Sequence, residues 1–317
     1  MSPDLSPALI HEAAGRIKPL ARRTPVMTSR SVNERAGLRA LLKCENLQRG
    51  GAFKIRGASN LILSLSPAEL ERGVVAFSSG NHAQATAIAA KHVGTLATIA
   101  MPEDAPRSKV EATRALGARI VHYDRLLEDR EAIAARILEE TGGTLVPPYD
   151  HPMIIAGQGT TALEILEDFP DLDALVVCVG GGGLLAGCAT IAKSIRPDIR
   201  IFGVEPELAN DTALSFAAGV RVTIPPPDTI ADGLRSPTPG SLPFPVILRH
   251  VERILLVSEA EIRATMRFLM ERVKIVVEPS GAVAVAAVLF GMLPREIRSA
   301  GVVISGGNVD FEFLKTL

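Results

Sequence analysis

The stretch VCVGGGGLLAG, residues 177–187, places an apolar strand, four consecutive glycines and the start of a helix in direct succession. The backbone N–H groups of such a turn, together with the positive end of the helix dipole, form a site that binds phosphate. A tight turn alone requires fewer glycines. A Walker loop is excluded because no Lys-Ser or Lys-Thr pair follows the glycines. The stretch therefore predicts a strand-turn-helix unit with a phosphate site at Gly180 to Gly183.

Short β-branched runs alternate with segments of helical period on both sides of this turn, which is typical of parallel sheets. The Ser-x-x-Glu sequences that begin at Ser66 and Ser258 are capping boxes, which mark helix starts. The sequence TLVPPYDH, residues 144–151, predicts a seam between two α/β lobes. The seven prolines of residues 224–245 predict an ordered surface loop. Strands are predicted at residues 73–77, 96–100, 118–123, 174–179, 199–205, 253–257 and 302–305, and helices near 81–92, 106–116, 128–141, 184–195 and 259–273.

The composition of the 317 residues narrows the possible partners and location of the protein. Its 34 Lys and Arg nearly balance its 35 Asp and Glu, which argues against a basic surface for nucleic acid or for a membrane. The longest uncharged apolar stretch, residues 281–293, is shorter than the roughly 20 residues of a membrane span. Charged residues interrupt the N-terminus where a signal peptide needs an apolar core. We therefore expect a cytoplasmic protein whose three cysteines are buried and unpaired.

Two further turns follow predicted strands and carry polar side chains. In FSSGNHAQATAIAAKH, residues 77–92, small and polar residues lie where a helix begins, and exposed N–H groups at such a place suit a carboxylate. In ISGGNVD, residues 304–310, Ser305 and Asn308 follow the last strand, at the edge where open parallel sheets bind ligands. His82 alone indicates little, because a histidine here also fits a capping or packing role. Together with the glycine turn, these stretches predict a site that holds two anionic groups.

The sequence NLQRGGAFKIRGA, residues 46–58, contains a candidate nucleophile. Lys54 lies beside Phe53 and near Arg56, with no acidic residue from residue 46 to 68. Burial and a neighbouring positive charge lower the pKa of a lysine from its usual value of about 10.4. A neutral amine is what Schiff-base chemistry requires. An isolated lysine is usually a solvated surface residue, but beside a phosphate site and a carboxylate site it indicates an aldehyde cofactor and an amino-acid substrate.

A nicotinamide-dependent oxidoreductase is the alternative from a different enzyme class. Gly181, Gly183 and Ala186 fit the G-x-G-x-x-A pattern of dinucleotide-binding folds. Glu205 ends the next predicted strand at a spacing that suits a contact with the ribose. This interpretation ranks second because it leaves the two other turns without a role.

The chain as a whole resembles the fold-type II pyridoxal-phosphate enzymes, specifically the serine racemase and serine/threonine dehydratase group. The resemblance rests on ENLQRGGAFKIRGA, SSGNHAQA, IAGQGT (155–160), VGGGGLLAG, ADG (231–233), VEPSG (277–281) and SGGNVD, which occur in family order. It implies an α/β fold like that of tryptophan synthase β, with two domains that are each an open, mostly parallel sheet flanked by helices. Residues 1–68 and 150–317 would form the large cofactor-binding domain, and residues 69–149 the small domain.

The resemblance assigns the cofactor, pyridoxal 5'-phosphate, to named residues. Lys54 would bind its aldehyde covalently, Phe53 would lie beside its ring, and Asn81 would hydrogen-bond its phenolic oxygen. Ser305 would face the pyridine nitrogen, where a neutral hydroxyl leaves the nitrogen largely unprotonated and favours prompt loss of a β-substituent. The phosphate would be held by Gly180, Gly181, Gly182, Gly183 and Leu184.

The resemblance also implies a hydroxy amino acid as substrate. Lys54 would remove its Cα proton, and loss of the β-hydroxyl would then yield a 2-oxo acid and ammonia. Arg130 or Arg235 could pair with a second carboxylate, as in 3-hydroxyaspartate. The residues expected to hold the substrate carboxylate are Ser78, Ser79, Gly80, Asn81 and His82. The residues expected near the rest of the substrate are Arg130, Tyr149, Arg235 and Ser236.

Ser79 raises the possibility of a second activity. Racemases of this group carry serine at the position, where the hydroxyl is the second acid/base on the cofactor face opposite the lysine, whereas threonine dehydratases commonly carry alanine. Dehydration of L-serine or L-threonine is the main prediction, and serine racemisation and dehydration of threo-3-hydroxyaspartate are the alternatives. A non-enzymatic amino-acid sensor is disfavoured because Lys54 and Ser79 are both present.

The sequence EPELAND, residues 205–211, resembles the divalent-cation site of the racemase-like branch. The carboxylates of Glu205 and Asp211 and the carbonyl of Ala209 would be the ligands, and oxygen ligands suit Mg²⁺ or Ca²⁺. The alternative is an acidic surface turn at a helix start. The resemblance further implies a homodimer that acts on a small amino acid, with no nucleic-acid or membrane partner.

Overall fold

The computed structural model describes residues 5–105, 107–124 and 127–317, and its strands form two sheets. The strands are β1 (Val26–Thr28), β2 (Arg39–Cys44), β3 (Val74–Phe77), β4 (Ala97–Pro102), β5 (Arg119–Tyr123), β6 (Thr144–Leu145), β7 (Ala174–Cys178), β8 (Arg200–Pro206), β9 (Arg253–Val257) and β10 (Ser299–Ile304). One sheet has the order β1-β2-β10-β7-β8-β9 and the other the order β5-β4-β3-β6. Within the described ranges every pairing is parallel except that of β1 with β2. The predicted α/β class with mostly parallel sheets is confirmed.

Helices connect these strands and cover both sheets. They are α1 (Pro7–Arg16), α2 (Arg30–Ala36), α3 (Lys54–Ile62), α4 (Pro67–Arg72), α5 (Asn81–Val93), α6 (Arg107–Ala115), α7 (Arg130–Thr141), α8 (Pro152–Asp168), α9 (Gly183–Ile195), α10 (Asp211–Ala218), α11 (Pro243–His250), α12 (Glu259–Phe268), α13 (Pro279–Leu289) and α14 (Phe311–Leu314). All residues of α13 are buried, as expected of a helix that is apolar on every side. The candidate site lies at the N-terminal ends of α3, α5, α9 and α13.

The strands and helices predicted from periodicity are present, with boundaries displaced by a few residues. The capping boxes at Ser66 and Ser258 are both formed, with each serine bonded to the glutamate three residues later. The helix predicted over residues 259–273 differs from the prediction. It is α-helical only as far as Phe268 and continues as a π-helical turn, because the chain leaves it through Lys274 at a φ of 66°.

The two proline-rich segments contain more regular structure than the sequence predicts. Residues 144–151 begin with β6, which pairs in parallel with β3 through Thr144 and Val74. Residues 224–245 include the start of α11 at Pro243, because proline is well suited to the first position of a helix. The four-stranded sheet thus lies within residues 74–145, whereas the division into domains at 68/69 and 149/150 stays a prediction.

The core is aliphatic, and glycines allow two of its helices to touch. A Cβ on Gly187 of α9 would collide with the backbone of α8 at Ile155 and Gly159, so the helices can approach this closely only without it. All three cysteines are free and buried, as predicted. Among the described residues, no helix combines the length and apolar character needed to cross a membrane.

Candidate active site

The predicted turns converge at the carboxyl ends of strands from both sheets. The backbone N–H of Phe53 donates to the carbonyl of Ser305 at 3.0 Å. The Asn308 side chain donates to Oδ1 of Asn81 at 2.8 Å and thereby joins the end of β10 to the start of α5. Parallel strands present their carboxyl ends at one edge, where such folds bind ligands. The lysine segment (residues 46–58), the serine turn (residues 78–80) and the turn at residues 304–310 therefore form one site.

Lys54 begins α3 in the middle of this site. Its Nζ donates to the carbonyl of Pro148 at 2.9 Å and lies 5.1 Å from the centroid of the Phe53 ring. Burial lowers the pKa of the Lys54 ammonium to about 8, although the nearby acidic groups of Cys178 and Glu278 act in the opposite direction. The lowered pKa that the sequence predicts is therefore found, and burial is its cause.

Arg56 does not supply the neighbouring positive charge that the sequence suggests for Lys54. Its guanidinium is fully buried and pairs with Glu45 at 2.7 Å and with Glu164 at 2.7 Å. Lys43 joins the same cluster through a 2.6 Å contact with Glu164. The charge of Arg56 is thus neutralised by carboxylates from other elements, which the local sequence around Lys54 does not reveal.

The glycine turn between β7 and α9 is open at the helix N-terminus. Gly182 is the N-cap at a φ of 89°, a conformation that favours glycine, and no side chain caps the helix. The ring of Tyr149 lies against Gly181 so closely that a Cβ there would overlap it. Because Pro148 precedes Tyr149, one short segment touches both Lys54 and the glycine turn. The turn thus presents free N–H groups to an anion next to the lysine, as a phosphate site requires.

The serine turn before α5 offers a second open helix start. Gly80 is the N-cap, and no side chain bonds to the first N–H groups of this helix. The hydroxyl of Ser78 accepts from the N–H of Gly80 at 3.2 Å, which orders the turn. Ser79 is half-buried, and within the described part of the chain its hydroxyl has no hydrogen-bond partner. The turn can therefore hold a carboxylate at its N–H groups, with the Ser79 hydroxyl free to move a proton.

His82 follows this turn as a buried, neutral imidazole. Its Nε2 lies 2.8 Å from the carbonyl of Val146, so Nε2 carries the proton and donates it. Burial, followed by the positive charge of Lys54, lowers the pKa of His82 to about 3. Its Nδ1 is buried and has no partner among the described residues. His82 can therefore contribute an acceptor to the site but no positive charge.

Glu278 is a site residue that was not selected from the sequence. Its Oε1 accepts from the side chain of Asn81 at 2.8 Å, and its Oε2 accepts from the N–H of Asn308 at 3.1 Å. Burial raises the pKa of Glu278 to about 7, even though the bond from Asn81 favours the ionised form. The signal was present in the VEPSG motif, where a single acid precedes the apolar helix α13. Glu278 fixes the amide of Asn81 and places a carboxylate near Lys54.

Ser305 directly follows β10 and lies beside Cys178, the last residue of β7. Its hydroxyl is buried and donates to the carbonyl of Ser280 at 3.3 Å. Burial raises the pKa of the Cys178 thiol to about 11, and a hydrogen bond with Ser305 opposes the rise. Ser305 therefore presents a neutral hydroxyl beside a thiol that is also neutral near pH 7.

The four residues predicted to lie near the rest of the substrate occupy different places in the structure. The hydroxyls of Ser236 and Tyr149 approach to 3.5 Å beside the glycine turn. The Arg130 guanidinium lies 5.4 Å from the centroid of the Phe77 ring, one residue before the serine turn. Arg235 is exposed, and its guanidinium is bonded to the carbonyl of Thr229. Arg235 therefore belongs to the surface loop, whereas Ser236 and Tyr149 lie beside the glycine turn. Arg130 is also exposed, but it lies over Phe77, next to the serine turn.

The predicted cation ligands form a separate buried cluster. Both oxygens of Asp211 are buried and have no partner among the described residues. Glu205 is fully buried, and its carboxylate accepts from the N–H groups of Thr212 and Ala213 at 3.2 and 2.8 Å. Burial and then the charge of Asp211 raise the pKa of Glu205, and burial raises the pKa of Asp211 to about 7. Two unneutralised carboxylates fit a cation.

Two further observations bear on this cluster. Within the described ranges, no group of three or more His, Cys, Asp or Glu side chains is placed to hold a metal ion. A cation here would consequently need backbone oxygen ligands such as the Ala209 carbonyl, together with water. Since the Glu205 carboxylate is buried and bonded to α10, it is not free to bind a ribose. The nicotinamide interpretation thereby loses its acidic residue.

Comparison with known proteins gives one consistent family. The family model of pyridoxal-phosphate dependent enzymes matches residues 17–306. L-threo-3-hydroxyaspartate ammonia-lyase of Saccharomyces cerevisiae is 49% identical over 306 residues, covering 96% of this chain and 94% of that protein. Serine racemase of Schizosaccharomyces pombe is 47% identical over 303 residues, covering 96% and 94%. The structure of maize serine racemase superposes with a TM-score of 0.95 at 44% identity, covering 100% of this chain and 97% of that chain. With its glycine turn and buried lysine in place, the chain belongs to the pyridoxal-phosphate dependent enzymes.

Proposed function

We propose that the protein is a pyridoxal-phosphate dependent ammonia-lyase that converts β-hydroxy amino acids to 2-oxo acids and ammonia. The observation that carries this proposal is the position of Lys54. Its amine, with a pKa of about 8, lies in one site with two helix N-termini that no side chain caps. One uncapped terminus suits the phosphate of the cofactor and the other the carboxylate of an amino acid.

The residues present fit the cofactor. When bound, pyridoxal phosphate supplies an aldehyde for covalent attachment and a ring that withdraws electrons from the substrate. Its phosphate would lie on the N–H groups of Gly180 to Gly183 and Leu184, which no side chain of the described chain caps. Asn81, held by Glu278, would donate to its phenolic oxygen. Ser305 would face its ring nitrogen with a neutral hydroxyl.

Lys54 would carry the proton from the substrate Cα. At pH 8 about half of an amine with a pKa of about 8 is neutral, so Nζ could accept that proton. The Pro148 carbonyl, 2.9 Å from Nζ, can then hold the protonated amine in place. The N–H groups that begin α5 fix the substrate carboxylate, which orients the Cα–H bond toward Lys54.

Serine racemisation is the second candidate function, favoured by Ser79. Its half-buried hydroxyl lies at the turn that would hold the carboxylate and has no hydrogen-bond partner in the described part of the chain. It is therefore available to return a proton to the Cα from the face opposite Lys54. Relatives in both classes, ammonia-lyases and racemases, support testing the two reactions side by side.

The proposal extends to the preferred substrate, the bound cation and the oligomeric state. Arg130, near the serine turn, is the candidate partner for the second carboxylate of L-threo-3-hydroxyaspartate, the substrate named for one relative. Glu205, Asp211 and the Ala209 carbonyl are the candidate ligands for Mg²⁺ or Ca²⁺. Comparison of kcat/KM for L-serine, L-threonine and L-threo-3-hydroxyaspartate ranks the substrates. A homodimer stays a prediction from family resemblance, and a cytoplasmic location stays a prediction from the sequence.

Lys54→Ala tests the lysine assignment. We expect a loss of about 10²–10⁴-fold in kcat, because the proton acceptor is removed, and no cofactor fixed to the chain by borohydride. The control is Lys91→Ala, at an exposed position in the last turn of α5, which should keep both properties. Undiminished turnover in Lys54→Ala, or borohydride labelling of a different lysine, would refute the assignment.

Ser79→Ala separates the two reactions. We expect D-serine formation from L-serine to disappear while 2-oxo acid is still produced, because only racemisation needs the second proton donor. Chiral chromatography of residual serine provides the measurement. Absence of D-serine with the wild-type enzyme, or an unchanged amount with the variant, rejects the racemase activity and leaves the lyase proposal intact.

A further inference from the structure

We propose that a surface cavity between the C-terminal part of α9 and helix α11 binds a small multivalent oxyanion, such as a phosphate or polycarboxylate. The cavity has a volume of about 380 Å³ and is lined by three basic side chains, Lys193, Arg249 and His250. Leu5, Pro7 and Val246 contribute an apolar wall. Small-molecule sites typically have a volume of roughly 300–1,000 Å³, an apolar wall and a few polar groups.

The cavity is separate from the site at Lys54. Helix α9 begins at the glycine turn with Gly183 and reaches the cavity with Lys193, which lies in its last turn. A helix rises about 1.5 Å per residue, so the two places lie on the order of 15–20 Å apart. Helix α11 runs the same way, because Pro243 at its start packs on Gly182 and its last two residues line the cavity.

The charge around the cavity is positive and unbalanced. No Asp or Glu is among the described residues that line it. Across the described ranges, Lys193, Arg249 and His250 take part in no ion pair, and the Lys193 ammonium instead donates to the Pro197 carbonyl at 3.0 Å. Like charges held close together without a counter-ion repel, and an anion between them removes this repulsion.

The three groups are also close enough to affect one another. Burial lowers the pKa of His250, and the charges of Arg249 and Lys193 lower it further. Asp198 feels the charge of Lys193, but its ion-pair partner is Arg196, at 2.8 Å. A bound anion would reverse the effect of the two cations on His250. The pKa of His250 therefore reports whether an anion is bound.

Basic residues at helix ends have an ordinary explanation that must be distinguished. Lys193, Arg249 and His250 all lie in the last turn or so of their helices, where cations stabilise the helix dipole. That role requires each cation only at its own helix end. It does not require cations from two helices to line one cavity without a carboxylate, and that convergence is what favours an anion.

The test titrates inorganic phosphate into the cofactor-loaded enzyme at constant ionic strength and follows the imidazole signals by NMR. The His250 signal is assigned as the one missing from His250→Gln. We expect a saturable shift of this signal and a rise of the His250 pKa. In Lys193→Gln/Arg249→Gln the apparent affinity should fall about tenfold or more, whereas the charge-matched control Lys91→Gln/Arg114→Gln, with both residues exposed and distant, should bind as the wild type does.

Each outcome decides the proposal. Saturable binding that the double variant loses and the control keeps supports it. A shift that grows linearly with phosphate, or saturable binding that persists in Lys193→Gln/Arg249→Gln, overturns it and leaves the cations with their helix-end role alone. The cofactor's own phosphate fills the glycine turn during the titration, so a failure here does not affect the proposed enzymatic function.

Discussion

Two buried clusters of charge in this protein differ in their balance. Beneath the lysine segment, the cations Lys43 and Arg56 face the carboxylates Glu45 and Glu164, with contacts of 2.6–2.7 Å. At the end of β8, Glu205 faces Asp211, and no cation of the described chain pairs with either. A buried charge is costly unless it is paired. The carboxylates of the first cluster are paired within the chain, whereas those of the second have no cation partner among the described residues.

The titration of the carboxylates expresses the same difference. Burial alone would raise the pKa of Glu45, but the charge and hydrogen bonds of Arg56 outweigh burial and the pKa is lowered. Burial raises the pKa of Asp211 to about 7, because only a hydrogen bond from its own backbone N–H opposes the rise and no cation does. The pKa values of these two buried acids are thus shifted in opposite directions, because a cation faces only one of them.

Arg56→Met should produce the largest effect, because it breaks the balanced cluster. Glu45 and Glu164 would face only Lys43, and an unpaired buried charge costs about 3–5 kcal/mol of folding free energy. Because α3 carries both Arg56 and Lys54, the same variant should also weaken the holding of the cofactor. Chemical denaturation of the holoenzyme and borohydride labelling measure the two effects.

The control for this variant is Arg30→Met, which removes an exposed pair. Arg30 lies 3.2 Å from Glu34 on α2, and their side chains are 91% and 67% exposed. Such pairs contribute about 0–1 kcal/mol. Equal losses in the two variants would show that the buried cluster has no special role in stability.

Supplying the cation should complete the second cluster and give the next largest effect. Addition of Mg²⁺ or Ca²⁺ to EDTA-treated enzyme at about 100 times its Kd should stabilise the fold by about 2.7 kcal/mol. Thermal and chemical denaturation measure this gain. It would come from the neutralisation of Glu205 and Asp211 by the bound ion.

Asp211→Asn is the matched variant, and it should act in two ways. It removes a ligand, so the stabilisation by the cation should disappear. It also removes a buried charge, so without a cation at pH 8 the variant should be more stable than the wild type. A variant that still gains stability from the cation would place the ion elsewhere.

Local features of the chain were predictable because their physics is local. The capping boxes at Ser66 and Ser258, the parallel strands and the glycine turn each depend on residues within a few positions. The lowered pKa of Lys54 was anticipated from a segment free of acids. Fold class and the motif-bearing turns of the candidate site therefore follow from sequence pattern alone.

The partners of the buried groups could not be predicted in this way. Arg56 finds Glu164 across 108 residues of sequence, and Asn81 finds Glu278 across 197. Nothing in the residues around Arg56 distinguishes a paired cation from one that lowers the pKa of Lys54. The chemistry of a buried charge depends on packing between distant elements, and only the folded chain specifies it.

The smallest expected effect is on the pH dependence of folding stability, which should have opposite signs for the two clusters. Asp211 has a folded-state pKa of about 7, above its ordinary value of 3.8, so the folded state binds more protons between these values. Without a cation, stability should therefore fall as the pH rises from about 4 to 7, by at most about 1.4 kcal/mol per pH unit for one proton. Glu45 has the opposite sign, because its lowered pKa stabilises the fold above its ordinary value of 4.5 and loses this stability as the pH falls.

Other buried groups titrate over part of the same range, so the informative quantity is a difference between slopes. Glu278, with a pKa of about 7, and His82, with a pKa of about 3, contribute equally with and without the cation. A bound cation favours the ionised carboxylates, so the slope between pH 5 and 7 should become less negative on its addition. Asp211→Asn should show the same slope in both conditions. A wild-type slope that the cation does not change would mean that the charges of Glu205 and Asp211 are compensated within the chain, and the contrast with the Arg56 cluster would fail.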